Sequence, residues 1–346
     1  MSDTHSANDT TCAPIVQPTI FFFSHIPRTS GSVLSLYLDR AANGSVSVWA
    51  GSLAMQKIRC SAGKDTVLGW ATRTLQSRAS GLVFGHAQPS FLNAQCGVEP
   101  RGVAVLTLLR EPLAHLLSQS NVGLVCAWLQ QALGDRPAAC ARKPSHAGQV
   151  AAGLARRHGR TISARAFAEM VVRNSNPTWI QTRWIGECGP ASRGADAAQR
   201  YTRECAARAL DGLARLRWFG ITEHLEASLC LLHATTDLPP PPPHADTPPV
   251  RLRDRSGVVR VLPRRPPLDP AAPRRSASAA LERHLKSRAP ELHAALASAL
   301  APEIGFYDDA RRLFAERLRG SGALACSQYE MCWHATSHPL SPWFSV

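Results

Sequence analysis

The sequence predicts an α/β fold, a central parallel sheet flanked by helices, and three observations lead there. Nearly continuous apolar runs such as Thr19 to Ser24 and Val103 to Leu109 lack the polar alternation of half-exposed strands and suit strands buried on both sides. Helix-period segments alternate with these runs, the order from which parallel sheets are built. The 346 residues are 45% hydrophobic, enough to bury a full α/β core as one large domain or two small ones.

Met1 to Pro18 is polar and aperiodic and reads as a disordered tail. Thr19 to Ser24 is a strand, and Val33 to Ala41 a helix after an intervening loop. Leu82 to Phe84 forms a short strand ending at Gly85-His86. Val103 to Leu109 is a further buried strand. A helix follows from Pro112, because proline suits a first helical turn, where its missing N–H is not needed. Helical patterns recur over Ala164 to Val172, Tyr201 to Leu213 and Leu225 to His233, with a short strand at Trp218 to Ile221. From about residue 239 to 278, a five-proline run, further prolines and dense arginines predict a flexible or extended insertion. Ala279 to Leu318 returns to helix, interrupted near Pro290 and Pro302, and residues 319–346 form a C-terminal extension. The main domain thus spans residues 19–318.

The formal charge of +14 points to anionic partners: nucleotides, acidic glycans, nucleic acid or lipid head groups. Much of the excess sits in runs such as Arg156, Arg157 and Arg160, or Arg264, Arg265, Arg274 and Arg275, which read as solvated faces and linker. Nucleic acid ranks last among the partners, since the arginines are not interleaved with exposed aromatics and no recognition motif occurs. The ten cysteines form no paired Cys-x-x-Cys pattern, so structural zinc is not expected. Their even number fits an oxidising lumen, with Cys326 and Cys332 able to close a small loop, and fits scattered thiols in a cytosolic protein equally well. No signal peptide or membrane span is visible, the run Ile20 to Phe23 being far too short.

Two segments carry the chemistry. His25-Ile-Pro-Arg-Thr-Ser-Gly-Ser32 joins a strand to a helix, and such a turn presents backbone N–H groups and the positive end of a helix dipole to an anion. Arg28, Thr29 and Ser32 add a cation and two hydroxyls. The loop is not a nucleotide-triphosphatase loop, because Gly31 is its only glycine and no Gly-x-x-x-x-Gly-Lys-Ser/Thr runs through it. By itself such a stretch is more often an ordinary turn before a capped helix. In Thr107 to Ser118, a strand delivers Arg110, the chain turns through Glu111-Pro112, and a helix carries Ser118 two turns on. A guanidinium and a hydroxyl so spaced can share one phosphate; the alternative is an arginine paired with Glu111 at a helix start. Arg28, His86, Arg110 and Glu223 all fall just after strands, where parallel sheets gather their ligands.

Together these segments resemble the carbohydrate sulfotransferases. The first is similar to that family's 5′-phosphosulfate loop, usually His-Ile-Pro-Lys-Thr-Gly-Gly-Thr. Leu109-Arg-Glu-Pro with Ser118 is similar to its 3′-phosphate element, usually Leu-Arg-Asp-Pro with a serine at the same distance. Phe84-Gly-His-Ala-Gln-Pro-Ser-Phe91 resembles the Gly-His segment of the uronyl and heparan 2-O-sulfotransferases. Asn176 to Gly186, with Gln181-Thr-Arg183, resembles the Asn-x-Gln-Thr-Arg stretch. Phe219 to Ser228 resembles the Gly-x-Thr-Glu strand and helix, and Phe306 to Phe314 the final helix.

The resemblance implies a P-loop-like three-layer fold and an O-sulfotransferase that moves a sulfuryl group from 3′-phosphoadenosine 5′-phosphosulfate (PAPS) to a hydroxyl of a glycan or other acceptor. It implies that Arg28, Thr29, Ser30, Gly31 and Ser32 hold the 5′-phosphosulfate and that Arg110 and Ser118 hold the 3′-phosphate. His86 would be the general base, with Arg28 stabilising charge in the transition state. Gln181 and Arg183 would meet cofactor or acidic acceptor, or else fix a surface turn. No metal is implied, and the family's usual compartment is the Golgi lumen, with the cytoplasm as the alternative. Four positions depart from the family pattern: Arg28 for lysine, Ser30 for glycine, Glu111 for aspartate and His115 for arginine. They motivate the alternative of a catalytically impaired relative that binds nucleotide or acidic glycan.

Overall fold

Strand β1 (Ile20–Ser24) is the centre of a five-stranded parallel sheet. Across it the order is β2 (Ser47–Ala50), β3 (Gly81–Gly85), β1, β4 (Val103–Leu109) and β5 (Trp218–Ile221). Phe21 pairs with Leu82 on one side and Ala104 on the other, and Leu109 pairs with Ile221. This computed structural model describes residues 20–24, 26, 29, 34, 37–38, 47–50, 81–85, 88–90, 102–118, 122–134, 137, 140, 162–174, 181–188, 195–236, 238, 251–253, 259–261 and 277–321.

All five residues of β1 are buried. Successive strand side chains point to opposite faces, so both faces of the sheet are covered at its centre. β5 identifies two of the covers. The Phe219 ring packs against Phe314 of helix α9 (Ala301–Gly320), with centroids 6.2 Å apart. On the other face, a Cβ at Gly220 would fall 2.8 Å from the Ser228 Cβ of α6 (Leu225–Thr235), and the Trp218 indole N–H donates to the Ser228 carbonyl at 2.9 Å. The parallel α/β class follows from these observations, with helix as the larger part of the described structure.

The remaining helices are α1 (Pro112–Ser118), α2 (Val122–Leu133), α3 (Ala164–Asn174), α4 (Gln181–Ile185), α5 (Ala195–Arg215), α7 (Ala277–Arg288) and α8 (Pro290–Ala299). One apolar core lies against the sheet and includes Phe21, Phe23, Leu106, Trp184, Leu213, Phe219 and Phe314. A second joins α1, α2, α3, α7 and α8 through Leu116, Val125, Phe167, Val171, Leu285 and Leu292. Each fully buried side chain of this size contributes about 1.5–3 kcal/mol relative to exposure. Pro290 and Pro302 stand in the first turns of α8 and α9, so the expected interruptions are two helix starts.

Several expectations change. The proline- and arginine-rich insertion contains an antiparallel pair, β6 (Arg251–Arg253) with β7 (Val259–Val261), and its last two residues already belong to α7. Strand β2 and helix α2 were not anticipated, and α9 runs to Gly320, two residues past the expected end of the domain. The cysteines are paired: Cys126 bonds Cys140, Cys188 bonds Cys205, and Cys230 is also in a disulfide. Among the described residues there is no free cysteine. Cys326, Cys332 and the tail 1–18 lie outside the described residues. Among the described residues no helix is long and apolar enough to cross a membrane.

Candidate functional site

Because β3, β1, β4 and β5 are parallel neighbours, the chain leaves Gly85, Ser24, Leu109 and Ile221 along one edge of the sheet. The motif segments 25–32, 84–91 and 109–118 follow from or include three of these strand ends. Arg28, Ser30, Gly31, Ser32 and His86 themselves lie outside the described residues.

The end of β1 is held from three directions. Ser24 is fully buried; its carbonyl accepts from the Thr107 hydroxyl of β4 at 2.8 Å, and its Oγ accepts from the Trp184 indole of α4 at 2.9 Å. Thr29, also fully buried, donates its hydroxyl to the Ile26 carbonyl at 2.8 Å. Thr222, just past β5, donates to the Thr29 carbonyl at 3.1 Å. Thr29 thus pins the turn, with its hydroxyl proton directed at the backbone.

Arg110 emerges from β4 with its main chain clasped by Gln181. The Arg110 N–H donates to Gln181 Oε1 at 2.8 Å, and Gln181 Nε2 donates to the Arg110 carbonyl at 2.6 Å. Gln181 is only 1% exposed and is engaged in fixing the Arg110 main chain. The guanidinium donates from Nη2 to the Ser278 hydroxyl of α7 at 2.7 Å. Burial lowers the Arg110 pKa from its ordinary value, opposed by the nearby carboxylates Glu223 and Glu111.

Ser118 donates back to the His115 carbonyl of its own helix at 2.8 Å. The hydroxyl bonded to the arginine is therefore that of Ser278, which the sequence placed at the end of the insertion. Glu111 caps α1, accepting from the Leu113 N–H at 3.0 Å and the Ala114 N–H at 2.5 Å. These two amides are consequently engaged by the chain itself. Burial raises the Glu111 pKa, with the two backbone bonds acting in the opposite direction. His115 is buried in α1.

Glu223 links the ends of β4 and β5 to the last helix. It accepts the Glu111 N–H at 3.2 Å and the Tyr307 hydroxyl at 2.6 Å. The Tyr307 pKa is raised, first by burial and then by Glu223. Just past β5, Glu223 thus acts as a strand-end hydrogen-bonding group.

Short helix α4 touches two strand ends. Gln181 reaches Arg110 and Trp184 reaches Ser24, as above. In the turn that follows, Glu187 accepts from the Ser90 N–H and the Ser90 hydroxyl, each at 2.6 Å. The start of α4 is fixed by Glu303 of α9, which accepts the Thr182 hydroxyl and, at 3.4 Å, the Thr182 N–H. Burial pushes the Glu303 carboxyl up to about 7, against the opposing bonds from Thr182 and the charge of Arg183. Arg183 is half-buried.

Ser278, Glu303, Tyr307, Glu187 and Trp184 were not identified as site residues from the sequence. Their partners lie between 84 and 168 positions away where they meet the strand-end residues Arg110 and Glu223, a separation that periodicity does not encode. Glu303 alone left a local trace, an acid behind the proline of a helix start. Chemically, a guanidinium beside the Ser278 hydroxyl suits an anionic oxygen that replaces or joins Ser278 on the arginine, against the opposing charge of the nearby Glu111 and Glu223 carboxylates. In comparisons with known proteins, no family model and no curated relative matches the chain.

Proposed function

We propose that the protein is a PAPS-dependent O-sulfotransferase with a P-loop-like three-layer fold, acting on a hydroxyl of a carbohydrate. One observation carries the reading: strands β3, β1 and β4 are parallel neighbours, so the segments with His86, Arg28 and Arg110 leave the sheet at one edge. The residues fit the cofactor's outer phosphate, since Arg110 is held by its backbone and offers its guanidinium beside a hydroxyl. When bound, PAPS supplies the sulfuryl group and a phosphate leaving group.

In this reading Arg110 binds the 3′-phosphate, with Ser278 as its companion hydroxyl and Ser118 one helix away. Arg28 and Ser30 to Ser32 bind and orient the 5′ end, with Thr29 pinning the turn that carries them, and Arg28 neutralises charge there. His86, as a neutral imidazole, takes the acceptor hydroxyl's proton. The paired cysteines favour an oxidising compartment such as the Golgi lumen. Nucleic acid is not part of the reading. A second reading, nucleotide or acidic-glycan binding without transfer, draws on Arg28 and Ser30 standing where the family has lysine and glycine.

The test uses the full chain with sulfur-labelled PAPS and a panel of glycans, comparing wild type with His86→Ala and Arg110→Ala. Transfer by wild type, lost in both variants, is expected. Equal transfer by all three removes the residue assignments, and tight nucleotide binding with no transfer to any acceptor selects the second reading.

A further inference from the structure

Three consecutive residues after α4 are each constrained for a separate reason. A Cβ at Gly186 would fall 2.8 Å from the Cys205 carbonyl oxygen and 2.9 Å from that of Thr182, so only glycine lets this turn lie against α5. Cys188 is bonded to Cys205 of α5. Between them, Glu187 has φ +51°, the one positive φ at a non-glycine among the described residues. That conformation is costly for a side chain other than glycine, asparagine or aspartate, and it persists where the surroundings impose it.

The outcome of this construction is that both Glu187 oxygens meet Ser90, through its N–H and its hydroxyl. Ser90 closes the turn at 88–90 that follows β3, four residues past His86. Through Gln181, the same short helix fixes Arg110. The turn and helix therefore set two strand-end loops relative to each other.

We infer that Glu187 is a positioning residue that holds the Ser90 turn, which follows His86 in sequence, in register with Arg110, and that the Cys188–Cys205 disulfide locks it in place. This rests on the transfer reading for its catalytic consequence, whereas its structural part stands apart from it. Residue 187 need not be a carboxylate for the turn to form, since glycine adopts its φ freely.

The experiment compares full-length wild type, Glu187→Gly, Ser90→Ala and Cys188→Ala with Cys205→Ala, by amide hydrogen exchange and by transfer kinetics. For Glu187→Gly, a melting temperature near wild type is expected, with exchange over residues 86–91 about tenfold faster. The kcat is expected to fall about tenfold while the affinity for 3′-phosphoadenosine 5′-phosphate holds. Ser90→Ala should shift both readouts the same way, by less, and the double cysteine variant should match Glu187→Gly. Wild-type exchange over 86–91 in Glu187→Gly overturns the inference, as does faster exchange with unchanged kcat. If wild type transfers to no acceptor, the transfer reading fails by itself, and the exchange result alone decides whether Glu187 holds the loop.

Discussion

Gln181 grips Arg110 by its main chain, one carboxamide answering both the N–H and the carbonyl of the residue whose guanidinium faces Ser278. A side chain so used fixes the starting point of a long arginine and leaves its charged end for other partners. Gln181→Ala strands two backbone polar groups and should cost about 2–3 kcal/mol. Under the proposed function, nucleotide affinity should fall about tenfold or more as Arg110 drifts. Chemical denaturation and calorimetric titration with 3′-phosphoadenosine 5′-phosphate read the two effects separately.

Glu303 makes stability depend on pH. Its folded pKa of about 7 lies above the ordinary 4.5, so the folded state keeps a proton that the unfolded chain has released. Its stabilising contribution is therefore complete below about pH 4.5 and is lost as pH rises towards 7, a swing on the order of 3 kcal/mol. Glu303→Gln, which cannot ionise, should flatten the melting temperature across that interval, as measured by thermal scans from pH 4.5 to 8.

Tyr307 and Glu223 should prove energetically coupled. Tyr307→Phe leaves one buried-side oxygen of Glu223 without its 2.6 Å donor and should cost about 1–2 kcal/mol. In a double-mutant cycle with Glu223→Ala, the double variant should lose less than the sum of the two single losses, because either change removes the same contact.

Arg317 closes the end of α5. Its two Nη atoms reach the carbonyls of Leu216 at 3.0 Å, Leu213 at 3.1 Å and Ala214 at 2.5 Å, and its guanidinium lies 5.1 Å from the Phe219 ring centroid. Burial lowers its pKa from the ordinary value. Arg317→Leu should destabilise by about 2–3 kcal/mol through the lost charge-assisted bonds and helix-end charge. Arg317→Lys should recover only part of this, since a single ammonium cannot span three acceptors. Urea unfolding checks both.

The strands and the helices that follow them were legible because each signal is local. Val103 to Leu109 and Trp218 to Ile221 match their observed limits, and Pro112 opens α1 for the reason proline should. Arg110 was legible as a strand-end cation. Its partner was not, because Ser278 comes from beyond a proline-rich segment whose composition masks both a hairpin and a helix start. Helix α4 is too short for a helical period to register, yet it carries Gln181 and Trp184 to two strand ends. Glu111 illustrates a residue that the sequence treats as an ion-pair candidate and geometry uses as a helix cap.

The last described helix contributes Glu303 to α4, Tyr307 to Glu223, Phe314 to the sheet and Arg317 to α5. During synthesis, a nascent chain that has delivered both motif segments still lacks all four of these ties. The ribosome must release some two hundred further residues before Arg110 sits in a finished frame, so the growing polypeptide passes a long interval with a basic, unframed strand edge. Pulse-labelled chains halted ahead of residue 301 should accordingly remain protease-sensitive around residues 103–118, and become resistant once the helix is complete.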